Sequence, residues 1–107
     1  MKGSNPTFKH NKIHDCKQDG IYIYEDGQGM IENNDIYGNA FSGVEIRTDG
    51  NPTLRNNSIN KNSYNAIYIH DSGAGTIEDN DLRENKEGPW NISEDSKNLV
   101  KRARNIE

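Results

Sequence analysis

A fixed period of 23 residues constrains this chain more than any other feature. The segments SNPTF (4–8), GQGMI (27–31), GNPTL (50–54) and GAGTI (73–77) begin at regular intervals with no insertion between them. They open four full units, 4–26, 27–49, 50–72 and 73–95. The second and fourth units share 9 of 23 residues; the first and third share 8, including Asn-Pro-Thr. Self-similarity at this period marks a repeat architecture, in which one unit cannot bury its apolar face without its neighbours.

Only four columns are apolar in every unit. They are Phe8, Ile31, Leu54 and Ile77; Ile13, Ile36, Ile59 and Leu82; Ile21, Val44, Ile67 and Trp90; and Ile23, Ile46, Ile69 and Ile92. Asparagine fills Asn11, Asn34, Asn57 and Asn80, and a second polar column reads Cys16, Asn39, Asn62, Asn85. Gly20, Gly43, Ala66 and Pro89 form a column of mostly small residues. The apolar segments are β-branched and too short for helices, and Gly, Asn and Asp separate them. The pattern predicts an all-β fold: a right-handed, single-stranded parallel β-helix of about four coils with three short strands per coil. Right-handed winding is expected because parallel crossovers are overwhelmingly of that hand.

Composition fits once the repeat is seen. A hydrophobic fraction of 30% and a charged fraction of 28% lean toward disorder in an ordinary chain. A solenoid needs only about four inward side chains per coil. The net charge of −4, with both signs interspersed, argues against a nucleic-acid-binding module. No apolar run is long enough to span a membrane. The segment MKGSNPTFKH has no apolar signal-peptide core, and Cys16 is the single cysteine, so a reducing, cytoplasmic setting is favoured.

The coil consensus, about G-x-[GP]-T-I-x-x-N-x-I-x-x-N-x-x-x-G-I-x-I over residues 4–95, resembles the repeats of right-handed parallel β-helix proteins of the pectate-lyase-like superfamily. The stretch GQGMIENNDIYGNAFSGVEIRTDGNPTLRNNSI is similar to the β-helix region of F-box substrate adaptors and to related cyanobacterial and archaeal repeat proteins. That resemblance implies a scaffold for protein partners, or a carbohydrate-binding or sugar-hydrolase role. Neither an F-box segment nor a zinc-finger cysteine set is present, so a ubiquitin-ligase role does not carry over. The resemblance also directs attention to an outer sheet, where such enzymes bind their substrates.

The Asn columns are expected to be structural, with amides stacked at about 4.8 Å and bonded up and down the coil. Cys16 is expected to be a small buried thiol at a ladder end. Lys9, Glu32, Arg55 and Glu78 alternate in sign and are expected to pair across strands. The third strand offers the one surface with recognition character. With Ile21 and Ile23 inward, the strand period turns Tyr22 and Tyr24 outward, and with them Glu45, Arg47, Tyr68, His70, Asn91 and Ser93. The candidate ligand strip is therefore Tyr22, Tyr24, Glu45, Arg47, Tyr68 and His70.

No catalytic residue, metal site or cofactor is expected. The strip has no second carboxylate beside Glu45, and the Asn-Thr-Asp and Gly-His-Gly motifs that resemblance to polygalacturonase-like hydrolases would imply are missing. Asp26, Asp49 and Asp95, with Ser72, read as turn residues. The expected partner is a protein or a carbohydrate. The end coils leave unpaired strand edges, and these predict end-to-end pairing as a homodimer. Residues 96–107 read as a partial fifth coil with Val100 in the first apolar column, or as an amphipathic capping tail built on Leu99, Val100, Ala103 and Ile106.

Overall fold

Three-residue β-branched segments set between left-handed turns leave the chain one economical course: a coil that returns beside itself. The computed structural model describes residues 7–25 and 27–107. Its strands are β1 (Thr7–Lys9), β2 (Lys12–His14), β3 (Ile21–Ile23), β4 (Met30–Glu32), β5 (Asp35–Tyr37), β6 (Val44–Ile46), β7 (Thr53–Arg55), β8 (Ser58–Asn60), β9 (Ile67–Ile69), β10 (Gly75–Glu78), β11 (Trp90–Ile92) and β12 (Val100–Ala103). They form three parallel sheets, ordered β1-β4-β7-β10-β12, β2-β5-β8 and β3-β6-β9-β11. Each strand lies beside its counterpart one repeat away, as Phe8 lies opposite Ile31, Ile36 opposite Ile59 and Ile46 opposite Ile69. The molecule is the parallel β-helix that the period predicts.

The four apolar columns make the core. Ile23, Ile31, Ile36, Val44, Ile46, Leu54, Ile59, Ile67, Ile69, Ile77 and Leu82 have no exposed surface. Phe8, Ile13, Trp90, Ile92 and Val100 pack against them as half-buried end pieces. A complete Ile or Leu burial contributes about 1.5–3 kcal/mol relative to exposure, so a few stacked side chains per coil suffice. Gly43 is required by close approach: a Cβ there would sit 2.3 Å from Ile59 Cγ2.

The ladders run through several coils. Asn34 donates its backbone N–H and its Nδ2 to Asn57 Oδ1 at 3.0 and 3.1 Å, and Asn57 donates likewise to Asn80 Oδ1. Each amide also reaches back to a strand carbonyl, as Asn57 Nδ2 does to Ile31 at 2.8 Å. The second ladder runs from the Cys16 N–H through Asn39 and Asn62 to Asn85. The left-handed backbone falls one residue before each ladder position. It occurs at His10, Asn33, Asn56, Asp79 and Arg104 (φ 53–58°), and at Asp15, Gly38, Lys61 and Glu84 (φ 55–67°). Lys, Glu and Arg have no special tolerance for that region; the ladder bonds that follow hold the turn. Cys16 is half-buried, not buried as expected.

Two further expectations are corrected. The alternating column is in register, yet among the described residues no ion pair joins Lys9 to Glu32 or Glu32 to Arg55. Glu78 pairs instead with Arg104 at 3.0 Å. The tail is a strand, but it runs two residues late: β12 sets Val100 beside Gly75 and Arg102 beside Ile77. A 3-10 turn, Lys97–Leu99, absorbs the extra residues. Ladder spacing records the same shift, since Asn80 donates to Asn105, 25 residues on.

Candidate functional site

The outward face of β3, β6, β9 and β11 carries the strip. Tyr22, Glu45, Tyr68 and Asn91 are in register across the four strands. Tyr24, Arg47 and His70 follow one position beyond each strand. On the first strand the Tyr22 and Tyr24 rings stack at 4.8 Å, and two coils on the Tyr68 and His70 rings stack at 4.3 Å. The i, i+2 spacing of a strand makes both contacts, because it puts the two rings on one face.

His70 joins coils through its imidazole. Nε2 lies 2.6 Å from Glu45 Oε2, and Nδ1 lies 3.2 Å from Asp71 Oδ2. A neutral ring carries one N–H, so it can donate to both carboxylates only as the imidazolium. The Glu45 and His70 side chains are each only 17% exposed, so water screens this pair less than an ordinary surface ion pair. Arg47 is drawn out of the strip: its Nε donates to Thr48 Oγ1 at 3.2 Å and lies 3.8 Å from Asp71 Oδ2.

Asp19, in the turn before β3, completes the chain. Its carboxyl hydrogen-bonds to Glu45, and its Oδ1 accepts the Ser42 N–H at 2.9 Å. Burial, then the hydrogen bond to Glu45 and that group's charge, raise the Asp19 pKa to about 7. A proton on Asp19 lets it donate to the Glu45 carboxylate. Within the strip Glu45 is the one carboxylate, as expected from the sequence; its carboxyl neighbour comes from outside the strip, in the turn before β3. Asp19, Glu45, His70 and Asp71 form one hydrogen-bonded chain over three successive coils.

With this geometry in hand, the family is clear. The description "Right handed beta helix region" matches residues 1–104. The chain belongs to that family. No solved structure matches it.

Among the described residues of this β-helix, no group of three or more His, Cys, Asp or Glu is placed to hold a metal ion. No helix is long and apolar enough to cross a membrane. Of the strip residues, the structure brings Tyr22 beside Tyr24 and joins Glu45, Tyr68 and His70, while Arg47 turns toward Asp71. The sequence reading missed Asp19 and Asp71. Asp19 heads the polar column Asp19, Ser42, Asn65, Gly88, which lies two residues before the third apolar column. That column's identity changes at every coil, so no repeat signal exposes it. Asp26 lies outside the described residues; Asp49 and Ser72 both sit at left-handed turn positions.

Proposed function

We propose that the chain is a non-enzymatic repeat scaffold that binds a protein or carbohydrate partner across the strip of Tyr22, Tyr24, Glu45, Tyr68 and His70, with Arg47 at its margin. One observation carries this reading: the strip is braced across coils, with His70 bonded to Glu45 at 2.6 Å. Side chains held in place before binding lose less entropy when a partner arrives. Tyrosine rings then supply broad apolar faces with a polar edge. The test is depletion of the protein by a panel of insoluble polysaccharides and capture by immobilised candidate partners. The folded double variant Tyr22→Ser/Tyr68→Ser should lose whatever binding the parent shows. Retained affinity in that variant would move the site elsewhere.

A second reading, a carbohydrate-active module, draws on the Asp19–Glu45 pair, since two neighbouring carboxyls can divide acid and base roles. Their contact ranks it lower. Glycosidase carboxyls stand about 5–5.5 Å or about 6.5–9.5 Å apart to admit sugar and water, whereas these two are hydrogen-bonded to each other. Release of reducing ends or unsaturated uronides, lost in Glu45→Gln, would reverse that order.

The scaffold reading extends to self-association. Among the described residues β12 pairs only with β10, and Leu99 and Ile106 beside it are 47% and 52% exposed. Like-end pairing closes at two chains, opposed by Lys101, Arg102 and Arg104 and therefore tighter in salt. Light scattering over a concentration series tests it; a monomer at high concentration and moderate salt would remove it.

A further inference from the structure

At the end of the strip, meeting it only at Asn91, lies a groove of ≈ 360 Å³ lined by Tyr64, Asn65, Glu87, Trp90 and Asn91. Its walls come from two successive coils and are tied together. Asn65, itself buried, donates its Nδ2 to the Glu87 carbonyl at 2.8 Å and to the Trp90 carbonyl at 3.2 Å. The Glu87 N–H donates to the Tyr64 carbonyl at 2.9 Å. Tyr64 is 48% exposed and stacks on Phe41, 39% exposed, at 5.2 Å. The groove is thus a fixed feature with an aromatic ridge along one side.

Its chemistry is that of a cation receptor. Tyr64 and Trp90 line it, each with one ring face engaged, by Phe41 and by Arg102, and the Glu87 carboxylate makes no ion pair among the described residues. Trp90 already attracts a cation within the molecule, the Arg102 guanidinium at 5.1 Å from the ring centroid. The exposed Lys86 is the one basic neighbour in sequence that opposes a second positive charge. Aromatic faces beside a carboxylate favour organic ammonium groups over hydrated metal ions, because the alkyl part is desolvated against the rings while the charge meets the quadrupole. The chain's net charge of −4 adds a long-range attraction for basic partners.

We propose that the groove between Tyr64 and Trp90 takes the ammonium-bearing side chain of a lysine from a basic peptide partner, with Glu87 as counter-ion. Arg102 then acts as an internal occupant of the same indole, to be partly displaced. This site does not depend on the strip being a binding face.

Trp90 is the only tryptophan and serves as the reporter. Full-length protein is titrated with pentalysine, with its side-chain-acetylated counterpart, and with tetramethylammonium chloride. Pentalysine and tetramethylammonium should give a saturable change in Trp90 emission, and the acetylated peptide none. Glu87→Gln and Tyr64→Ala should each weaken pentalysine by about fivefold or more; Arg102→Gln should tighten it. Equal response to the acetylated peptide, no emission or calorimetric response at millimolar pentalysine, or undiminished affinity in both groove variants would each overturn the proposal. Both positions are exposed, and matching circular dichroism of variants and parent separates lost binding from lost fold.

Discussion

The asparagine ladders and the outward strip are built on the same coils, yet they hold together in different ways. In a ladder every rung has one chemistry, and Asn34, Asn57 and Asn80 repeat the same bonds to the coil on either side. In the strip no two successive rungs agree: Tyr22, Glu45, Tyr68 and Asn91 follow one another, and the contacts are particular ones, Glu45 with His70 and Asp19. The ladder is a device of backbone geometry, indifferent to what the coil does. The strip is a device of side-chain chemistry laid on geometry that is already secure. Inside, then, substitution should cost fold; outside it should cost function and pH response.

The severest break of that contrast is Ile46→Asp. Ile46 is fully buried between Ile23 and Ile69, with no cation in its column. An unpaired buried carboxylate is among the costliest substitutions, and the expected result is loss of cooperative unfolding in a denaturant titration. Next is Asn57→Ala, which orphans the buried Asn34 N–H, takes one of the two acceptors of Asn34 Nδ2 (the Phe8 carbonyl remains) and removes the amide donor to the Ile31 carbonyl. With each buried orphan costing about 1–3 kcal/mol, destabilisation of about 3 kcal/mol or more is expected by urea unfolding. A cost below about 1 kcal/mol would mean that water replaces the rung and that the ladder is dispensable.

On the strip the effects shrink and become dependent on pH. Asp19 binds its proton more tightly folded, at about 7 against 3.8 for the free group. Its contribution to stability is therefore fully present below about pH 4 and is lost as pH rises toward and through 7. Asp19→Asn keeps the acceptor for Ser42 and offers an N–H to Glu45, as the protonated acid does. The variant should match the parent near pH 4, lose that downward slope, and melt higher than the parent at pH 8. Parallel stability–pH curves for parent and variant would refute the Asp19–Glu45 contact. Smallest is Arg47→Asp, at less than about 1 kcal/mol, because Arg47 is 42% exposed and its partner Asp71 61% exposed. A loss equal to that of Ile46→Asp would overturn the inward and outward assignment altogether.

How much was legible follows from the same contrast. Phe8, Ile31, Leu54 and Ile77 could be aligned on paper because identical environments recur and select similar residues. Asp19 could not, since its neighbours in the column are Ser42, Asn65 and Gly88, and its importance comes from Glu45, 26 residues later. The tail shows a third case. Counting 23 from Ile77 gives Val100, but the chain inserts the Lys97–Leu99 turn and delivers Arg102 to that register. Arg102 is accommodated at the last coil because it leans over the Trp90 ring, an option that a fully enclosed coil would not offer.

The sequence by itself determined the period, the number of coils, the four inward columns, the two asparagine ladders and the outward placement of Tyr22, Tyr24, Glu45, Arg47, Tyr68 and His70. All of these depend on spacing along the chain, which a repeat makes readable. Only the tertiary structure decided that His70 bridges Glu45 and Asp71, that burial and the neighbouring Glu45 raise the Asp19 pKa, that Arg47 turns away, and that Tyr64 and Trp90 line a groove with Glu87. Those outcomes depend on rotamers and on separations of a few ångströms between residues of different coils. Hydrogen bonds and desolvation change steeply over such distances, and no column of letters records them.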